Sequence, residues 1–209
     1  MLTKSNKIAA ECLQAALVAV TQAEDELGRL DAVAGDGDHG AGMVRGFQAA
    51  VTSIADIPTG ELLVNAGLYF ADAAGGSSGA LVGMFIQTLG RNLHGERIST
   101  IQVHEALVAG LVVMCKLGRT RPGDKTMIDT LDPFIRAFGE VAGRATVAQA
   151  WAYALPAAEE GMKATAEMVS KRGRSALLKD KSLGHLDPGA VSAYYVLSAA
   201  SAVLQQNYR

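Results

Sequence analysis

The links between the helical segments of this chain come in two kinds, and they alternate. Eight segments read as helices, near 4–27, 40–54, 60–74, 79–91, 101–117, 125–141, 147–170 and 188–206, and none reads as a strand. In the fifth, Val103, Leu107, Gly110, Leu111 and Met114 fall on one face at the helical period. Ser99 with Gln102, and Thr146 with Gln149, have capping-box spacing, and Asp187-Pro188 sets a capping carboxylate before a proline at the first helical position. The links around 55–59, 92–100 and 142–146 are plain turns. Those after the first, third, fifth and seventh segments carry "GDGDHG", "GGSSG", "GRTRPGDKT" and "RGRSALLKDKSLGHLDPG". Helices joined by short links run up and down, so alternate links share one end. The expectation is an all-α, antiparallel up-and-down bundle, one domain over 1–209, with every unusual loop at one pole.

Glycine use points the same way. Gly costs roughly 1 kcal/mol relative to Ala inside a helix. Yet the chain has 23 glycines, and over half of them fall in or beside those four loops. There they let backbone N–H groups approach a ligand or take positive φ. Several such loops opening onto helix N-termini make an anion site, because each helix start presents unpaired donors and partial positive charge. Gly75-Gly76-Ser77-Ser78-Gly79 ahead of "ALVGMF" suits that role, and Arg119, Arg121, Lys125 and Arg174 add positive charge nearby.

Asp31, Asp36 and Asp38 would repel the same anion unless a divalent cation lay between. Magnesium takes oxygen ligands and bridges carboxylates to phosphate oxygens. Asp36 and Asp38, two apart across Gly37, can turn toward one centre, and Asp31 can close from the end of the first helix. His39 reads as a phosphate donor group, a metal neighbour or, ranked last, a phosphoryl acceptor, and His185 as a candidate for the same pole. His94 and His104 read as ordinary residues. Two other motifs are excluded. An EF-hand starting at Asp36 needs a carboxylate where Phe47 stands, and "GRTRPGDKT" has Asp124 where a Walker A loop has its lysine.

The formal net charge of −2 and pI near 6.1 offer no basic field for nucleic acid or a membrane surface. Cys12 and Cys115 have no zinc-like spacing and read as buried free thiols of a reducing compartment. The N-terminal run is interrupted by Glu11 and Gln14, unlike a secretory signal. No segment is expected to span a membrane, so the expected location is the cytoplasm.

The stretches "GDGDHGAGMVRG", "GGSSGALVG", "PGDKTMIDT" and "GRSALLKDKSLGHLDPGAVS" together resemble the nucleotide-binding L subunit of dihydroxyacetone kinase, in the order that family has them. The resemblance spans the whole chain and implies an eight-helix barrel with the nucleotide site at one end. It implies that Asp31, Asp36 and Asp38 coordinate two magnesium ions on the phosphates of ADP or ATP. His39, Gly40, Ala41, Gly42, Ser77 and Ser78 would bind the phosphates. Gly118, Met127, Arg174 and the Asp187-Pro188-Gly189 turn would surround the rest of the nucleotide. Family members often carry Asn where this chain has Gly42, which leaves a backbone contact there.

The same resemblance implies a separate K-type subunit that holds the substrate through a histidine, so no nucleophile is named in this chain. A free-standing L subunit further resembles the phosphotransferase-linked type, in which tightly bound ADP is rephosphorylated by a phosphohistidine protein, the M-type donor. Exchangeable ATP, another short ketose or polyol such as erythrulose, and a nucleotide-sensing regulatory module are the alternatives.

Overall fold

The computed structural model describes residues 4–95, 97–173, 176 and 181–207. Among them the regular structure is helical: α1 (Lys4–Gln22), α2 (Glu24–Ala32), α3 (His39–Thr52), α4 (Thr59–Ala74), α5 (Gly76–Asn92), α6 (Thr100–Gly118), α7 (Ile128–Val141), α8 (Val147–Ala164) and α9 (Pro188–Asn207), with a 3₁₀ turn at Thr165–Glu167. Each helix from α3 onward packs on the next in the chain, and α9 returns to pack on α1, so the ring closes as an antiparallel barrel. α1 and α2 form one stave, broken at Ala23, whose ψ of 5° interrupts the helix. That break lets the stave run on to Ala32 and carries Asp31 to the end of the barrel.

The predicted caps are present. Ser99 and Thr146 each close a capping box with Gln102 and Gln149, and Asp187 Oδ1 accepts from Ala190 N at 2.8 Å at the start of α9. Two boundaries move inward. α7 begins at Ile128 rather than near 125, because Gly123 (φ +88°) and Lys125 (φ +63°) lie in the left-handed region. α8 stops at Ala164 rather than near 170, where the Thr165 hydroxyl donates to Met162 O at 2.6 Å and the chain tightens.

One half of the barrel buries Phe134, Phe138 and Met114 among α6, α7 and α8, and the other buries Phe47, Phe70 and Val20 among α1, α3 and α4. Between them an apolar cavity of about 250 Å³ is walled by Ile8, Phe47, Phe85, Leu107, Trp151 and Val196 among others. α4 and α5 meet backbone to backbone: a methyl at Gly67 would stand 2.5 Å from Gly83 O, and one at Gly83 2.6 Å from Gly67 O. Glycine is the residue that permits that approach.

The expectation that no segment could span a membrane needs one correction. α6 is long and apolar enough by composition, with mean hydropathy 1.4, because its outward positions include Ile101, Val108 and Val112. It packs between α5 and α7. Cys12 and Cys115 are free and half-buried, and burial pushes the Cys12 thiol up to about 12.

Candidate functional site

The four unusual links meet at one end of the barrel, around a pocket of about 230 Å³. α2 delivers Asp31 in its last turn, and the tight 33–38 link brings Asp36 and Asp38 back beneath it. Gly37 turns that link at φ +79°. At Gly35 a side chain would collide with the Asp31 carboxylate, so the loop closes only with glycine there. One ligand oxygen from each of Asp31, Asp36 and Asp38 lies within 4.8 Å of the others. Asp36 and Asp38 are exposed and Asp31 is partly so, which leaves their oxygens open to the pocket. An oxygen-only donor set of this size, reachable from solvent, fits magnesium.

Two helix starts share this pocket, and the residue flanking each gives no side-chain cap. The flanking Asp38 of α3 and Gly75 of α5 make no capping hydrogen bond. Gly75 has φ +69°, a conformation that lets α5 begin abruptly with Ser77 exposed and Ser78 half-buried on the pocket wall. Unpaired N–H groups at such starts suit anionic oxygens.

His39 is buried, and both ring nitrogens have partners: Nε2 lies 2.9 Å from Ser192 Oγ on α9, and Nδ1 3.5 Å from Ser78 Oγ on α5. Burial lowers its pKa, outweighing the raising effects of Asp31 and of a backbone hydrogen bond at Pro188. The imidazole thus ties α3, α5 and α9 together, and its burial favours the neutral form. Its backbone N–H donates to Asp31 Oδ2 at 3.3 Å, joining the acidic loop to α3.

Of the residues singled out in the sequence, Asp31, Asp36, Asp38, His39, Ser77, Ser78, Gly118, Met127, Asp187, Pro188 and Gly189 line this one pocket. Gly40, Ala41 and Gly42 stand behind it in the first turn of α3. Gly42 N donates to Asp38 O at 2.9 Å, so its donor is engaged in the helix, and Gly40 packs against the Glu24 carbonyl. Arg174 lies outside the described residues.

The positive charges are placed differently from the expectation. Arg119 and Arg121 are exposed and off the pocket lining. Lys125 is buried, and its ammonium faces backbone carbonyls instead of the pocket centre. Arg172, the first residue of the seventh link but not named there as a candidate, lines the pocket and donates from Nε to Asp124 Oδ2 at 2.9 Å. Asp124 is desolvated, which raises its pKa, yet the Arg172 hydrogen bond, the Arg121 amide and nearby positive charge together hold it below the usual carboxylate value.

Thr120, Thr126 and Ser182 also line the pocket without having been marked. The second acid of "PGDKTMIDT", Asp129, shapes this wall. Its carboxylate accepts from Gly123 N at 2.5 Å and Thr126 N at 2.8 Å, folding the link over the start of α7. Asp187 has its carboxyl pushed up to about 7 by burial, against the pull of the Ala190 amide and the Lys125 charge.

Residues 33–202 match the DAK2 domain. An L-erythrulose kinase of Pectobacterium atrosepticum is 39% identical over 216 aligned residues, covering 98% of this chain and 37% of that relative. The ADP-binding subunit DhaL of the PEP-dependent dihydroxyacetone kinase of Escherichia coli is 32% identical, covering 80% of this chain and 82% of the subunit. The crystal structure of the dihydroxyacetone kinase from C. freundii in complex with AMP-PNP and Mg2+ matches with a TM-score of 0.68 at 27% identity, over 94% of this chain and 34% of that one. This chain thus spans about a third of the erythrulose kinase and of the crystallised kinase, and most of the DhaL subunit.

Proposed function

The chain belongs to the DAK2 domain family, and from that premise we propose that it is the nucleotide-handling unit of a kinase for a short ketose. It binds ADP or ATP with magnesium at the open end of the barrel and passes a phosphoryl group to a substrate held by a K-type partner. The observation that carries this reading is what meets at one pocket. Three carboxylates with oxygens within 4.8 Å of one another share it with the starts of α3 and α5, whose flanking residues Asp38 and Gly75 provide no side-chain cap. Neither half suits a polyphosphate alone, and together they do.

Asp31, Asp36 and Asp38 would hold the metal, two ions being the proposed number. Magnesium, when bound there, would neutralise phosphate charge. The α3 and α5 starts, with Ser77 and Ser78, orient the phosphate oxygens by N–H and O–H donation. His39 stays neutral and fixes the relative position of α3, α5 and α9. Gly118, Met127 and the Asp187–Gly189 turn bound the remaining space, where a nucleoside fits. Phosphoryl transfer asks the protein chiefly for alignment and charge stabilisation, so a site without a nucleophile of its own suffices.

Dihydroxyacetone is the proposed substrate, because the DhaL relative belongs to a dihydroxyacetone kinase. The donor would then be an M-type phosphohistidine protein that recharges retained ADP. The 39% identity to an L-erythrulose kinase supports a second reading, a four-carbon ketose with exchangeable ATP. The test is calorimetry of ADP with and without a chelator, followed by transfer assays with K-type subunits offered dihydroxyacetone or erythrulose. Equal affinity with and without magnesium would refute the site. ADP that survives dialysis favours the M-type donor, and rapid exchange with ATP favours the other.

A further inference from the structure

Lys125 is 4% exposed and sits at φ +63°, a conformation a lysine adopts only under constraint. Its Nζ lies 2.7 Å from Thr165 O, 3.0 Å from Met168 O, 2.6 Å from Ser182 O and 2.7 Å from His185 O. An ammonium has three N–H donors and no acceptor. Four carbonyl oxygens around one compact charge therefore form a cage of the kind that strips and holds an alkali cation. Burial lowers the pKa of the amine, while Asp187 opposes the shift.

The carbonyls come from two stretches, 165–168 and 182–185, that carry little regular structure. Between α8 and α9 the described residues have no α-helix to fix them, only 3₁₀ geometry at 165–167 and at 176 and 181–182. The tripeptide around Lys125 grips them further. Asp124 O accepts from Lys171 N at 3.1 Å, Gly123 O from Lys171 Nζ at 2.8 Å, and the Asp124 carboxylate holds Arg172. Thr165 Oγ1 in turn accepts from Asp187 N at 3.0 Å. Arg172, Ser182, His185 and Asp187, all fixed this way, are pocket wall.

We propose that Lys125 is a positioning residue whose caged ammonium sets the pocket wall formed by residues 165–173 and 181–187, and thereby sets how long the nucleotide is held. This rests on the nucleotide-binding reading above. Lysine at this place is thus an internal cation that organises backbone and never reaches the phosphates. Removing the charge leaves four carbonyls facing one another, each of which repels the rest and seeks water.

The experiment follows release of a fluorescent ADP analogue, with magnesium, from wild type, Lys125→Met and Lys125→Ala. It is run well below each thermal midpoint, with amide exchange measured in parallel. Lys125→Met should release nucleotide about 10- to 100-fold faster, with faster exchange at Lys171 and Gly184. Methylammonium should slow release from Lys125→Ala and tetramethylammonium should not, which a purely structural lysine would not produce. Wild-type release from Lys125→Met, or unchanged protection at Lys171 and Gly184, overturns the proposal while leaving the nucleotide site intact. A wild-type chain that binds no magnesium–ADP overturns both. Should neither variant fold, wild-type exchange decides. Lys171, Gly184 and Asp187 should open as one unit that nucleotide slows, and independent opening unaffected by nucleotide overturns the proposal.

Discussion

The two ends of the barrel solve the same problem in opposite ways. Each helix start leaves unpaired N–H groups that something must satisfy. At one end α6 and α8 satisfy theirs internally, through the Ser99–Gln102 and Thr146–Gln149 boxes, and the links are brief. At the other end α9 is capped by Asp187, but α3 and α5 begin on Asp38 and Gly75 with no side-chain cap from either. The Asp31 carboxylate accepts from the His39 amide. An end that leaves donors open and gathers like charges gives up stability, a cost that the proposed magnesium–nucleotide ligand would offset.

The largest effect expected from that contrast is at the acidic loop. Asp38→Ala should weaken magnesium-dependent ADP binding by at least about 100-fold, because phosphate would then meet Asp31 and Asp36 with its metal poorly held. Thermal stability of the ligand-free protein should stay the same or rise, since a like charge is removed. Calorimetry and a melting curve on the same sample check both halves, and an unchanged affinity would break the contrast. Ser77→Ala should act in the same direction by about 10-fold, the worth of one hydrogen bond to a charged oxygen, again without lowering the melting point.

At the closed end the signs reverse. Ser99→Ala and Thr146→Ala should each destabilise the fold by about 1 kcal/mol in a urea titration and leave ADP affinity untouched. Because Thr100 Oγ1 donates to Ala145 O at 2.8 Å and joins the two helix starts, the double variant should depart from simple addition. Loss of ADP affinity in either variant would show the two ends to be coupled.

Which parts of this were legible in the sequence follows from the range of the forces involved. Caps are local, so Ser99, Thr146 and Asp187 could be read from spacing alone. The alternation of link types, with up-and-down topology, was enough to put all four loops at one end. The break at Ala23 was invisible, since Ala is the best helix former and nothing nearby disfavours a helix. Lys125 looked like an anion-binding charge because its partners are carbonyls 40 to 60 residues away, which leave no trace in side-chain identity. Arg172 and Ser182 were missed for the same reason: they reach the pocket through the grip of Asp124 and Lys125 on an irregular stretch. His39 was marked as a site residue, but its pairing with Ser192 depends on α9 closing the ring onto α3.

Asp187 gives the smallest test, and it separates the ends by pH. Its carboxyl, pushed up to about 7 in the folded protein, lies above the ordinary aspartate value of 3.8 expected in the unfolded chain. The folded state therefore binds the extra proton between those values. Its contribution is full below pH 4 and is lost as pH rises through 7. His39, with a lowered pKa, works the other way, since the folded protein resists its protonation as pH falls. Asp124, held low, matters only as the solution becomes more acidic than pH 4. Comparing wild type with Asp187→Asn cancels the last two. The amide keeps an oxygen for the Ala190 N–H, so the cap persists and only the titration goes. Between pH 5 and 8 the ligand-free wild type should lose about 1 kcal/mol relative to Asp187→Asn, discounted because the carboxyl borders the open pocket. The same comparison made with Ser99→Ala in the background should give the same difference. A pH slope that survives in Asp187→Asn would place the titrating group elsewhere and remove the open end's claim to it.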